Sequence, residues 1–450
     1  MNILRHLLIL SIFLVIGCKT VNRARHAQSS ADRLPGETSV TAAQIGLSAE
    51  RSFSLPELER LALEHHPALL SARQAVESAR MQLRMTHAGR LPQLAASAAY
   101  NRSTQNTWGR STSSEARGTW SAGVGLDLLL YDFGRLDAAE RQGIEDLIAA
   151  EQNLLDTELE TVYAVRAAFF ECHRSVHLMR VAVESERQYA QHLEEARIMT
   201  EVGTRRQYDV TKAEVDWGNA RLEVVTASNN LVVAHAQLNR ALGLAENPPY
   251  RIEPGALPTT RRSADALLAD ARFSAPSLAV LRARERAASA YVDQTIAELY
   301  PEFRIGADAD LSGRNFPLVW NLSGALRAAQ NLFDGHRKTA RIDEAVTQLR
   351  RARAAVAEAE QTLYLHLVTA VAERESARKR ADIARLIQKQ AEDNLAIVNE
   401  QYRVGISSSI ERTDAQVALT QAQADVIRAE YDEQAALARI ARLTGEPVTR

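Results

Sequence analysis

The chain repeats itself. Pro67 and Pro92 recur as Pro276 and Pro301, each 209 positions on. Asp132, Gly203, Thr211, Ala213 and Gly243 recur as Asp334, Gly405, Thr413, Ala415 and Gly445, each 202 positions on. The fall in offset from 209 to 202 makes the second copy shorter between the two sets of matches. One architecture written twice along one polypeptide restricts the possible folds more than any single residue does.

Within each copy the dominant period is helical. Small or apolar residues run Ala213, Trp217, Ala220, Val224, Ala227, Leu231, Ala234, Leu238 and Ala241, in alternating steps of four and three. The second copy keeps that rhythm from Ala415 through Leu419, Ala422, Val426, Ala429, Ala436 and Ile440, with one polar break at Glu433. Such heptads predict coiled-coil packing, and the many alanines let helices approach closely. Upstream, residues 137–200 and 338–400 contain no proline, so each predicts a very long helix.

Two stretches per copy follow a different period. Trp120, Ala122, Val124, Leu126, Leu128 and Leu130 alternate with Ser121, Gly123, Gly125 and Asp127. Phe303, Ile305, Ala307, Ala309 and Leu311 alternate with Arg304, Gly306, Asp308 and Asp310. Weaker alternation marks Leu94–Tyr100 and Trp320–Ala328, giving predicted strands at about 93–101, 119–131, 302–311 and 319–330. An apolar face opposite a charged one suits a strand between lipid and a watery lumen. It also suits a soluble hairpin laid on a core, but aromatics near the strand ends (Tyr100, Trp120, Tyr131, Phe303, Trp320) favour the lipid reading.

Each copy thus reads helix, two-strand hairpin, long helix, tight turn, long helix. Four strands are too few to close a barrel, and a membrane sheet leaves no edge open, so the chain must oligomerise. Three copies would supply twelve strands, a size compatible with an aqueous pore. The repeats span 51–246 and 266–450, joined by a Pro- and Gly-bearing linker at 247–265.

The ends and composition bound the compartment. Residues 1–17 carry Arg5 and an apolar run from Leu7 to Ile16, which is a secretory signal too short to span a bilayer. Cys18 follows Val15-Ile16-Gly17 as it would in a lipobox, and residues 18–50 then read as a lipidated tether. An ordinary signal with a chance cysteine is the blander reading. The other cysteine, Cys172, leaves the mature chain no disulfide. A net charge of −2 without a basic stripe argues against nucleic acid.

This layout resembles the outer-membrane efflux proteins, the TolC-like channel-tunnels. The resemblance rests on the Leu91-Pro92 and Tyr300-Pro301 junctions, the exits Tyr131-Asp132-Phe133-Gly134 and Leu332-Phe333-Asp334-Gly335, and the paired turns. It covers roughly 50–446, and the lipidated start makes it most similar to the lipoprotein members of tripartite exporters. It implies a fold of α plus transmembrane β: a trimeric twelve-stranded barrel continuous with a long periplasmic coiled-coil tunnel. It further implies a homotrimer in outer-membrane lipid, with a periplasmic membrane-fusion adaptor and an inner-membrane pump of RND or ABC type as partners.

The resemblance also implies site residues. Val202, Gly203, Thr204, Val404, Gly405 and Ile406 would form the adaptor-docking turns, and Asp209, Tyr402, Glu411 and Asp414 the periplasmic aperture. The arginine expected beyond the second turn is replaced by Ser407, leaving Arg205, Arg206 or Arg412 as substitutes. Glu411 and Asp414 also fit a plain acidic helix start. The expected function is a passive gated duct for drugs, toxic compounds or metal ions, not an enzyme and without a cofactor. Alternatives are a protein-secretion channel and a pore-less lipid-anchored periplasmic scaffold. Cys172, His173 and His177 lack the further ligands a metal site needs.

Overall fold

The computed structural model describes residues 41–42, 46–47, 51–103, 117–248, 250–258 and 262–446. The signal segment and Cys18 lie outside the described residues. A short strand β1 (Ser52–Phe53) leads into α1 (Leu55–His65) and α2 (Pro67–Ala88). The hairpin β2 (Gln93–Ser103) and β3 (Arg117–Tyr131) is followed by α3 (Arg135–Glu201) and α4 (Gln207–Ala241). After β4 (Arg251–Ile252) the order recurs as α5 (Ala264–Ser274), α6 (Pro276–Ala297), β5 (Glu302–Gly313), β6 (Val319–Ala329), α7 (Arg337–Arg403) and α8 (Ser409–Thr444).

Local chemistry sets the helix starts. Pro67 and Pro276 open α2 and α6, where the missing N–H costs nothing. The Ser54 backbone N–H donates to Glu57 at 3.0 Å at the start of α1, and Ser263 Oγ accepts from the Ala266 N–H at 3.3 Å at the start of α5. Helices α3 and α7 each run 67 residues, which is about 100 Å of rise. Gly143 sits inside α3, where an added Cβ would stand 3.1 Å from Leu83 Cδ1, so α2 packs tightly there. Among the described residues no helix is long and apolar enough to cross a membrane.

The four long strands form one antiparallel sheet in the order β2-β3-β5-β6, so β3 and β5 join the two halves and β2 and β6 are its edges. The register places Leu94 opposite Leu126, Leu126 opposite Ala307, and Ala307 opposite Gly324, all on one face. That face is exposed, with Leu126 at 37% and Leu322 at 73% accessibility. The other face is polar: Arg304 pairs with Asp127, and Asn321 donates to Asp310 at 3.2 Å. Tyr100 and Trp120 pack at 4.5 Å at one end of the sheet, and Phe133 stacks on Tyr300 at 5.1 Å at the other. Trp120 and Tyr131 are eleven residues apart, about 36 Å along a strand.

The main core lies halfway down the long helices. Phe169, Phe170 and Cys172 of α3 and Leu238 of α4 meet Leu58, Phe53 and Tyr250 there. Strand β1 pairs in parallel with β4, which fastens the segment before α1 to the stretch between the halves. Below this level α3 pairs with α4 and α7 with α8 as antiparallel hairpins. The α8 positions Ala415, Leu419, Ala422, Val426, Ala429, Ala436 and Ile440 are all buried.

Candidate functional site

The ends of the two helical hairpins lie side by side. At the first, Gly203 takes φ +77°, and Thr204 N–H returns to the Met199 carbonyl at 2.9 Å. At the second, Gly405 takes φ +82°, and Ile406 N–H returns to the Gln401 carbonyl at 2.9 Å. Positive φ is what a glycine supplies without steric cost at a helix reversal. The turns present apolar side chains outward: Val202, Val404 and Ile406 are exposed.

Polar side chains tie the turns to one another. Arg205 Nη2 donates to the carbonyls of Tyr402 at 3.0 Å and Ser407 at 3.3 Å. Ser409 Oγ donates to Asp209 Oδ1 at 2.6 Å. Two turns further along α4, Asp216 accepts from Lys212 and from Thr413, both at 2.9 Å. Net, each such bond contributes about 0.5–1.5 kcal/mol, and more where a charge takes part.

Tyr402 lies at the centre and is buried. The guanidinium carbons of Arg205 and Arg412 stand 4.3 and 4.8 Å from its ring centre. Burial pushes its phenol above the usual range. Arg412 is itself buried, with Nη2 2.7 Å from Glu195 of α3 and Nε donating to Asn399 of α7 at 2.8 Å. Arg412 therefore joins three helices. Beside it, a polar cavity of about 20 Å³ is lined by Tyr189 and His192 of α3, Lys212 and Asp216 of α4, Tyr402, Arg412 and Thr413. Burial first, then the charge of Arg412, pushes His192 down to about 4, and burial pushes Tyr189 up to about 12.

The expected residues separate into two groups. Asp209 and Tyr402 meet in this network. Glu411 caps its own helix: it accepts from Ser408 N–H at 3.0 Å and from the Ser407 hydroxyl, and these bonds hold its carboxyl below the usual range. Asp414 stays exposed one turn on. Arg205 and Arg412 both reach Tyr402, whereas the backbone N–H of Arg206 contacts Asp209 at 3.4 Å. Sequence reasoning missed Glu195, Lys212, Asp216, Asn399 and His192. Each is an ordinary polar residue on a long helix, and only the packing of α3, α4, α7 and α8 against one another brings them together.

The outer membrane efflux protein family matches the chain over residues 58–244 and 267–446. The outer membrane efflux protein BepC of Brucella suis biovar 1 is 24% identical over 351 residues, 75% of this chain and 74% of that protein. A solved membrane protein from Pseudomonas aeruginosa shares the fold with a TM-score of 0.79 at 21% identity, covering 87% of this chain and 93% of that one. The Campylobacter jejuni CmeC outer membrane channel gives 0.78 at 15% identity, over 90% of this chain and 88% of that one.

Proposed function

Because the chain belongs to the outer membrane efflux protein family, we propose that it is the outer-membrane channel of a tripartite efflux system, a passive gated duct for small molecules. One observation carries this reading above the others. A sheet with one apolar and one charged face ends in two edge strands, β2 and β6, and runs on into helices of about 100 Å. Backbone edges cannot stay unpaired in lipid. Three copies pairing β6 to β2 give a closed twelve-stranded barrel with its charged face toward water. Apolar faces left bare on single helices, Val215, Leu222 and Val225 of α4 and Ile383, Leu386 and Ile387 of α7, suit the same assembly of copies.

In this reading the helices cross the periplasm and Cys18 carries a lipid into the outer membrane. The turns at Gly203 and Gly405 receive a periplasmic adaptor. An inner-membrane pump supplies the energy, and the Arg205–Tyr402–Arg412 cluster latches the tunnel shut until the adaptor draws the hairpins apart. Asp209 belongs to that latch, and the exposed Asp414 is the carboxylate left to line the aperture.

Outer-membrane fractions are expected to hold a heat-modifiable trimer of this chain. A soluble monomer after removal of Cys18 would instead favour the pore-less scaffold.

A further inference from the structure

The cavity between the two hairpins holds a titratable side chain that the latch does not use. His192 projects from α3 into the space where α3, α4, the end of α7 and the start of α8 meet. The groups facing it come from all four helices. Tyr189 and Glu195 come from its own helix, and Asp209, Lys212 and Asp216 from α4. Tyr402 comes from α7, and Arg412 from α8. The space, about 20 Å³, has room for about one water. A second cation placed there meets Arg412, which already uses Glu195, Asn399 and the Tyr402 ring to hold α8 to its neighbours.

We propose that His192 is a proton sensor of the latch, so that acid on the periplasmic side loosens the contact between the two hairpins and raises the chance that the duct opens. This rests on the duct reading above. The proton goes to an imidazole nitrogen in a cavity with room for about one water. The imidazolium then competes with Arg412 for Glu195, or leaves the cavity, and either event weakens the attachment of α8 to α3.

The sign follows from linkage. In the latched state burial and Arg412 hold His192 down to about 4, against its usual 6.5. The latched state therefore favours neutral imidazole. Its advantage is complete above 6.5 and is lost progressively as pH falls from there toward 4. If opening returns His192 to water, the ratio of open to latched forms rises up to about 30-fold between pH 7.5 and pH 5.

The test is single-channel recording of the full-length protein in planar bilayers at both pH values, comparing wild type with His192→Gln. The wild type is expected to gain open probability at pH 5, and His192→Gln is expected to stay flat while keeping its pH 7.5 behaviour. A wild type indifferent to pH, or a His192→Gln variant that responds as the wild type does, overturns the proposal. A second variant guards against a folding artefact. Asp209→Cys with Ser409→Cys, replacing a 2.6 Å contact, should abolish the acid response when oxidised and restore it on reduction. A response that survives the crosslink also overturns the proposal. A protein that forms no channel at either pH contradicts the duct reading itself, which is a separate failure.

Discussion

Arg205 lies 4.3 Å from the centre of the Tyr402 ring and donates to the Tyr402 carbonyl at 3.0 Å. One side chain of the first turn thus holds both the ring and the backbone of the second. Arg205 and Ser407 occupy matching places, 202 positions apart. The arginine expected at Ser407 stands at the equivalent place on the other turn, aimed at the same tyrosine. Its hydrogen bonds end on backbone carbonyls, so the contact does not depend on which side chain occupies position 407.

Removing that contact should loosen the second turn. Arg205→Ala loses two charged hydrogen bonds and a ring contact, worth about 1–2 kcal/mol at this half-exposed site. Amide exchange from Gly405 to Arg412 is expected to quicken about 5- to 30-fold. Arg205→Lys should recover only part of the loss, because an ammonium lacks the guanidinium fork. Equal exchange in all three proteins would contradict the linkage.

Glu411 gives a pH prediction of its own. Its carboxyl is held low by the Ser407 hydroxyl first and then by the Ser408 N–H. The cap it makes is therefore fully present above its usual 4.5 and weakens as pH falls through and below that value. Exchange of the first amides of α8, taken relative to the intrinsic rate at each pH, should rise on acidification in the wild type. In Glu411→Gln it should start higher and change less.

The sheet faces predict opposite tolerances. Val124→Arg puts a charge on the apolar face near mid-height, which in a bilayer costs about 2–4 kcal/mol. Ser121→Arg puts the same charge on the polar face at little cost. The yield of heat-modifiable oligomer in outer-membrane fractions should fall for the first and hold for the second.

A buried ion pair braces the main core. Arg166 Nε donates to Glu59 at 2.7 Å, with side-chain accessibilities of 17% and 6%. Glu59→Ala strands the arginine, a change that in buried pairs costs about 3–5 kcal/mol. Replacing both partners by apolar residues of similar size should cost much less. A thermal midpoint unchanged by Glu59→Ala would contradict the role assigned to the pair.

Much of this fold could be read from periodicity, because its forces are periodic. The heptad positions from Ala213 to Ala241 are buried or half-buried in α4, and the polar break at Glu433 is half-buried where Ala429 and Ala436 are fully so. The strand alternation from Trp120 to Leu128 assigns faces correctly for the same reason. The turn contacts were less legible. Arg205 and Tyr402 are 197 residues apart, and nothing local marks one for the other. His192, Glu195 and Asp216 look like solvent-facing residues until α3, α4, α7 and α8 pack against one another. The β1–β4 pair escapes notice too, because two-residue strands carry no alternation.

The most direct test of the central claim is the conductance of the purified full-length protein in planar bilayers, wild type against Arg205→Ala with Arg412→Ala. A duct latched at its helical turns predicts small discrete openings for the wild type and a severalfold larger conductance once both arginines are gone from Tyr402. Equal conductance in the two proteins, or no channel in either, would contradict it.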